Sequence, residues 1–89
     1  MKILKLVSKT GCAQIILALD KKKLTFGAIA KIVGHPAVAT QRLKELKNAG
    51  LIDRKVLQDE HRSVEYGLND NGHVVAKALE TLSNVKIEE

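Results

Sequence analysis

The sequence of 89 residues predicts one mainly helical domain of the α+β class, with a small antiparallel β-hairpin near its C-terminal end. Three observations support this fold class. Apolar residues recur at helical spacing as far as Leu46, strand-like alternation replaces this spacing after Gly50, and helical spacing returns after Asn69. Because no repeat, linker or low-complexity segment divides the chain, we expect residues 1–89 to form a single domain.

The first clear helix is predicted from Gly11 to about Leu19. Its apolar face has the i, i+3, i+4, i+7 spacing and consists of Cys12, Ile15, Ile16 and Leu19. The polar run 20–23 indicates a turn after this helix. The preceding stretch, Ile3 to Val7, is either an extension of the helix or a separate arm, and the sequence does not distinguish the two.

Two further helices are predicted in close succession. Thr25 is a favourable N-cap for the second helix, and Gly34 ends it as a C-terminal glycine. Pro36 suits the first turn of the third helix, which closes at Gly50. The expected buried stripes are Phe26, Ile29, Ala30 and Val33 in the second helix and Ala39, Leu43 and Leu46 in the third. Two short helices joined by a tight turn that contains glycine form a helix-turn-helix.

A β-hairpin with a charged tip follows the third helix. Ile52, Arg54 and Val56 alternate imperfectly with their neighbours, whereas Val64, Tyr66 and Leu68 alternate cleanly. The last helix begins after Asn69, a favourable N-cap. Its predicted apolar face is Val75, Ala78, Leu79 and Leu82. A helix-turn-helix followed by a two-stranded wing is the winged helix-turn-helix arrangement.

Composition narrows the classes of function. The formal net charge of +5 favours an anionic partner such as nucleic acid. One cysteine and three scattered histidines offer neither an internal disulfide nor a spacing typical of a metal site, and no phosphate loop or nucleophile elbow is present. We therefore expect no enzyme activity, no cofactor and no metal.

No apolar run approaches the roughly 18 residues that span a bilayer, so we expect no membrane association and a cytoplasmic protein.

The third helix, about residues 36–49, is the candidate for insertion into the major groove of DNA. When its apolar stripe points inward, the opposite side carries Ala37, Gln41, Lys44 and Asn48, with Thr40 beside them. Glutamine can pair with adenine, threonine can contact a thymine methyl, and lysine can bind guanine or phosphate. A solvated helix face is the alternative interpretation, but the tight turn before this helix and the wing after it favour recognition.

The wing, about residues 58–63, supplies further candidates. His61 and Arg62 lie at its tip, where an arginine can enter the minor groove or bind phosphate. Arg54 and Lys55 follow the recognition helix and could bind the flanking backbone. Polar residues that merely solvate a hairpin are the alternative for each of these positions. Arg42 lies near the buried edge of its helix, and we interpret it as structural, paired with a carboxylate.

Three other residues are interpreted as core. Phe26 and Tyr66 lie on apolar stripes, which argues against the exposed aromatic platforms of single-strand binders. Cys12 shares its stripe with Ile15, so a small core residue is favoured over a redox-sensing thiol, although Lys9 is near in the sequence.

Three segments together resemble the HxlR-type regulators. Residues 40–52, TQRLKELKNAGLI, are similar to the family's recognition helix and the turn into its wing. Residues 24–29, LTFGAI, resemble the start of the preceding helix, and residues 64–72, VEYGLNDNG, resemble the end of the wing. The central leucine and glycine pattern is also found in MarR, ArsR and PadR relatives. The resemblance implies a homodimeric DNA-binding regulator with its terminal helices at the dimer interface, and the metal motif of the ArsR type is absent.

The resulting hypothesis is a sequence-specific regulator of transcription that binds double-stranded DNA as a homodimer. Apolar residues outside the predicted core would form the dimer contact: Val74, Ala78 and Val85 in the last helix, and Ile3, Leu4, Leu6 and Val7 in the first segment. Two alternatives remain. One is a winged helix that serves as a protein-interaction module, and the other is an architectural protein that binds DNA without sequence preference.

Overall fold

The structure is a computed structural model that describes residues 2–88. Its elements follow the predicted order of helices, hairpin and helix. They are α1 (Lys2–Val7), α2 (Cys12–Lys21), β1 (Leu24–Thr25), α3 (Phe26–Val33), α4 (Pro36–Asn48), β2 (Ile52–Val56), β3 (Val64–Leu68) and α5 (Asp70–Ser83). Helices α3 and α4 form the helix-turn-helix, and β2 and β3 form the wing. The predicted winged helix-turn-helix fold is therefore confirmed.

The sheet has one strand more than the predicted hairpin. Its order is β1-β3-β2, and both pairings are antiparallel. The additional strand β1 pairs Leu24 with Tyr66 and Thr25 with Glu65. A strand of two residues is too short to show alternation in the sequence, and its partner lies far along the chain. The extra pairing fixes the start of α3 against the wing.

The predicted signals at the ends of α3 and α4 act as expected. The Thr25 hydroxyl accepts a hydrogen bond from the Ala28 backbone N–H at 3.4 Å, which caps α3. Gly34 adopts the left-handed conformation with φ +80°, and its N–H donates to the Ala30 carbonyl at 2.8 Å. Pro36 occupies the first turn of α4, where no backbone donor is needed.

The first segment forms a helix of its own rather than an extension of α2. Helix α1 ends at Val7, and Gly11, with φ +88°, stands in the left-handed conformation immediately before α2. Helix α2 then runs beyond the predicted end to Lys21, so Asp20 belongs to the helix and not to the turn. Asp20 also contacts α5, because its Oδ1 atom lies 2.9 Å from Nδ1 of His73.

One apolar core joins the helices to the sheet. Its buried members are Cys12, Ile15, Ile16, Leu19, Ile29, Ala39, Leu43, Leu46, Leu51, Ile52 and Ala76. The predicted inward faces of α2 and α4 are thus confirmed in full. In α3, Ile29 is fully buried, whereas Phe26, Ala30 and Val33 are half-buried against the core.

The predicted apolar face of α5 is partly wrong. Val75 and Leu79 do pack against the core, but Ala78 and Leu82 are exposed, and Gly72 and Ala76 form the buried centre instead. Gly72 lies against the carbonyl oxygen of Leu51 so closely that a Cβ atom there would overlap it. This contact sets the rotation of α5, and apolar periodicity alone could not reveal it.

We predict that Gly72→Ala destabilises the protein strongly. The added methyl group would overlap the Leu51 carbonyl and lie 2.8 Å from Cδ2 of Leu68, so α5 would have to move. Overpacking of this kind costs about 1–3 kcal/mol or more of unfolding free energy, measurable by urea titration. Gly27→Ala is the matched control, since nothing lies within 4 Å of its Cβ position, and it should gain about 0.5–1 kcal/mol in helix α3. Equal stability of the two variants would contradict the prediction.

Candidate nucleic-acid interface

Helix α4 presents one face to the core and the other to solvent. Ala39, Leu43 and Leu46 are buried along its inner side. The predicted recognition residues are all exposed, and they are Ala37, Thr40, Gln41, Lys44 and Asn48. Because a straight helix turns about 100° per residue, Ala37, Gln41, Lys44 and Asn48 lie within a narrow arc opposite the buried stripe. Gln41 lies at one edge of this arc and near the middle of its length along the helix axis.

An ionic cluster holds the underside of α4 to the turn between α1 and α2. Nε of Arg42 donates to the Thr10 carbonyl oxygen at 2.9 Å, and Arg42 also forms an ion pair with Glu45. Lys9 pairs with the second carboxylate oxygen of Glu45. The structural role predicted for Arg42 is therefore confirmed. The hydrogen bond from Lys9, with help from Arg42, holds the pKa of Glu45 below its ordinary value.

Cys12 lies in the core beside this ionic cluster. Its side chain is fully buried, and burial raises the pKa of its thiol even though the Arg42 charge opposes the change. A redox-sensing thiol needs exposure and a lowered pKa, and Cys12 has neither. Its interpretation as a small core residue is confirmed.

The tip of the wing is an ordered turn built around Asp59. Its carboxylate accepts a hydrogen bond from the Ser63 N–H at 3.0 Å, and this bond lowers the pKa of the Asp59 carboxyl group. The Arg62 N–H donates to the Asp59 carbonyl at 3.2 Å, with Arg62 in the left-handed conformation at φ +46°. The turn leaves both His61 and Arg62 exposed at the end of the hairpin.

Arg54 and Lys55 lie on opposite faces of the sheet, because successive residues of a strand alternate. Arg54 is paired with Tyr66 across the strands and faces α4. Lys55 is paired with Glu65 and lies on the outer face, near Lys23. The structure therefore brings Arg54, but not Lys55, next to the recognition helix.

A groove of about 560 Å³ separates α4 from the sheet. Its lining combines cationic, polar and aromatic side chains: Phe26, Thr40, Leu43, Lys44, Lys47, Asn48, Arg54 and Tyr66. Phe26 and Tyr66 pack against the core, as expected, but both are only half-buried, and their remaining surface lines the groove. Lys47 follows Lys44 by three residues and so lies on the same flank of α4, as expected if the basic residues Lys44, Lys47 and Arg54 cluster around the third helix and the wing.

The HxlR-like helix-turn-helix family model matches residues 6–88. The chain belongs to this family. No curated protein sequence matches it significantly. The family resemblance that the sequence indicated is thus confirmed.

Solved structures with similar folds include several regulators. The putative transcriptional regulator ytfH from Salmonella typhimurium has a TM-score of 0.84 at 24% identity, over 93% of this chain and 76% of that chain. The reduced form of the transcriptional regulator YodB from B. subtilis has a TM-score of 0.81 at 23% identity, over 92% and 82%. MepR from S. aureus, in complex with DNA, has a TM-score of 0.78 at 21% identity, over 93% and 70%. At these identities the similarities establish the fold.

Neither a metal-binding cluster nor a membrane-spanning helix is found within residues 2–88. No group of three or more His, Cys, Asp or Glu side chains is arranged to hold a metal ion. No helix of this part of the chain has the length and apolar character needed to span a membrane.

We predict that Glu45→Gln lowers stability at neutral pH and has little effect in acid. The folded-state pKa of Glu45 lies below its ordinary value of 4.5, so the carboxylate stabilises the fold above that pH. This contribution is lost as the pH falls through the lowered pKa. Urea midpoints of the wild type and the variant should therefore differ at about pH 7 and converge near about pH 3.

Glu60→Gln, which removes the same charge from an exposed position in the wing loop, is the control. It should leave the urea midpoint nearly unchanged at both values of pH. A difference between Glu45→Gln and the wild type that persisted in acid would contradict the ionic role of Glu45.

Proposed function

We propose that the protein is a homodimeric transcription regulator that binds double-stranded DNA with sequence specificity. The observation that carries the proposal is the exposed side of α4 with the cationic groove beside it, to which the exposed tip of the wing adds two basic side chains. The DNA-bound MepR structure, which has the same fold, supports the choice of duplex DNA as the partner.

Helix α4 is the base-reading element in this proposal. A helix with side chains is about 10–12 Å across, which matches the width of the major groove, about 12 Å. Gln41 lies about midway along the exposed side of the helix and offers both a donor and an acceptor to an adenine edge. Ala37 leaves room for close approach, while Lys44 and Asn48 extend the contact along the groove.

The groove between α4 and the sheet fits a strand of the DNA backbone. A helix in the major groove and a wing beside it leave one sugar-phosphate strand between them. Lys44, Lys47 and Arg54 provide positive charge for its phosphates, and the Tyr66 ring offers an apolar surface for its sugars. At the end of the wing, Arg62 lies where it can bind phosphate or enter the minor groove, and His61 lies beside it.

An apolar stripe on α5 is the proposed dimer surface. Val74 and Leu82 are 69% and 65% exposed, and Ala78 lies between them on the same side of the helix. Val85, expected in the last helix, instead lies just beyond the end of α5 at Ser83 and is 64% exposed. In α1 the proposed contribution is limited to Leu4, at 56% exposure. The expectation for the rest of that segment is corrected: Ile3, Leu6 and Val7 pack against the chain's own core. A second copy would cover the stripe across a two-fold axis.

The test is the selection of bound duplexes from a random DNA pool at a stated salt concentration. The proposal expects an enriched palindrome whose half-sites are separated by about one helical turn, or 10–10.5 base pairs. Binding without enrichment would support the architectural alternative. A lack of DNA binding would support the protein-interaction module, which the cationic groove disfavours.

We predict that Gln41→Ala weakens binding to the selected site by about 1–3 kcal/mol and leaves binding to random DNA almost unchanged. The reason is that a base contact carries sequence information, whereas a backbone contact does not. Titrations of both duplexes at the same salt concentration measure the effect. Gln14→Ala, at an exposed position of α2, is the control. Equal losses of affinity for the selected and the random duplex would contradict the assignment of α4 as the base-reading helix.

We predict that Arg54→Ala weakens selected and random DNA alike. Each lost phosphate contact should reduce the slope of log K against log salt by about one, and a dimer loses two such contacts. Arg62→Ala should behave in the same way unless it enters a narrow minor groove, in which case A·T preference also falls. Lys55→Ala, on the opposite face of the sheet, is the matched control. A larger effect from Lys55 than from Arg54 would contradict the assignment of the groove.

We predict that Val74→Gln/Leu82→Gln converts the dimer to a monomer without unfolding it, because both side chains are exposed. Sedimentation at tens of micromolar, an order-of-magnitude range for a weak interface, should show the change while helical content stays constant. Lys77→Gln, on α5 but outside the stripe, should remain dimeric. A wild type that is monomeric in this range would contradict the proposed dimer.

A further inference from the structure

Asn69 uses its whole amide group and its backbone to join two helices. Its Oδ1 atom accepts a hydrogen bond from the Gly72 N–H at 2.9 Å and so caps α5. Its Nδ2 atom donates to the Gly50 carbonyl oxygen at 2.8 Å. Its backbone N–H donates to the Leu51 carbonyl oxygen at 3.2 Å. One residue thus bonds both to the start of α5 and to the turn that follows α4.

The carbonyl groups that Asn69 binds belong to the closing turn of the recognition helix. The Gly50 N–H donates to the Lys47 carbonyl at 3.0 Å, and the Leu51 N–H donates to the Leu46 carbonyl at 3.1 Å. Because this turn is bonded to the last residues of α4, its position follows the position of the helix. Gly72 packs on the same turn, as its close contact with the Leu51 carbonyl shows.

Capping alone does not require an asparagine at this position. Thr25 caps α3 with a hydroxyl oxygen, and serine is as favourable an N-cap as asparagine. What the Asn69 amide adds is the Nδ2 donor to Gly50. This second bond adds to the backbone bond between Asn69 and Leu51 in linking the start of α5 to the turn after α4, while α5 otherwise packs principally against α2.

We propose that Asn69 is a positioning residue that fixes the angle between the recognition helix and α5, and thereby the separation of the two recognition helices in the dimer. The inference rests on the proposed function, since it requires α5 at the dimer interface and α4 on DNA. Adding one base pair between half-sites rotates one by about 34–36° and moves it by about 3.4 Å. A dimer with rigidly held helices cannot follow such a change and therefore discriminates sharply between half-site spacings.

The test compares half-site spacing preference in the wild type, Asn69→Ser and Asn69→Asp. Serine and aspartate both retain an oxygen to cap α5, but neither provides the Nδ2 donor, and aspartate adds repulsion toward the Gly50 carbonyl oxygen. Affinity is measured for the selected palindrome, for palindromes one base pair longer and shorter, and for a single half-site. Ile29→Val, a buried change in α3 away from the Asn69 contacts, is the control for a general loss of stability.

We expect the ratio of affinities for the optimal and altered spacings to fall by about two- to tenfold in Asn69→Ser, the range that one net hydrogen bond provides. The fall should be larger in Asn69→Asp. Half-site affinity should stay within about twofold of the wild type, because the base-reading face is unchanged. A spacing ratio that is unchanged in both variants, or reduced equally in Ile29→Val, would overturn the inference.

A second measurement needs no DNA. Spin labels attached at Gln41→Cys, in a Cys12→Ala background, report the distance between the two recognition helices of the dimer. We expect a narrow distance distribution with Asn69 and a broader or shifted one with serine. An unchanged distribution overturns the role of Asn69 while leaving the proposed function intact. Failure of the unsubstituted protein to dimerise or to select DNA would instead overturn the proposed function, and this inference with it.

Discussion

The burial of α4 against a small core is the constraint on which the rest of the structure depends. A domain of this size buries only about 60% of the surface of its unfolded chain. Its core is therefore small, and the helix that carries the functional face must also contribute side chains to the core. Ala39, Leu43 and Leu46 therefore hold the recognition helix and complete the core at the same time. Any displacement of the exposed face of α4 would disturb the packing that stabilises the fold.

Polar contacts along the middle of α4 and at its C-terminal end complete this placement. Arg42 binds the Thr10 carbonyl and Glu45 pairs with Lys9, which ties the underside of α4 to the turn before α2, and Asn69 ties its closing turn to α5. Each contact connects segments that are far apart in the sequence. It therefore fixes the position of α4 relative to the other elements, which hydrogen bonds within the helix cannot do. Such support is what a base-reading helix requires, because hydrogen bonds to base edges depend on accurate placement.

The small size of the core also explains why α5 has exposed apolar side chains. Its buried side is narrow, since Gly72 and Ala76 bring the helix close to its neighbours and leave little room for larger side chains. Val74 and Leu82 consequently remain outside, where a second copy of the chain would cover them. Close packing inside the domain and the proposed dimer contact are thus two results of the rotation of one helix.

The sequence by itself determined the features that arise from neighbouring residues. Helical spacing placed α2, α3 and α4, Thr25 and Asn69 marked caps, and the change of period after Gly50 marked the wing. The tertiary structure alone decided the pairing of β1 with β3, the rotation of α5, and the side of the sheet on which Arg54 faces α4. Those features depend on contacts between distant segments, and in β2 only Ile52 is buried, so its alternation carried too little information to assign the faces.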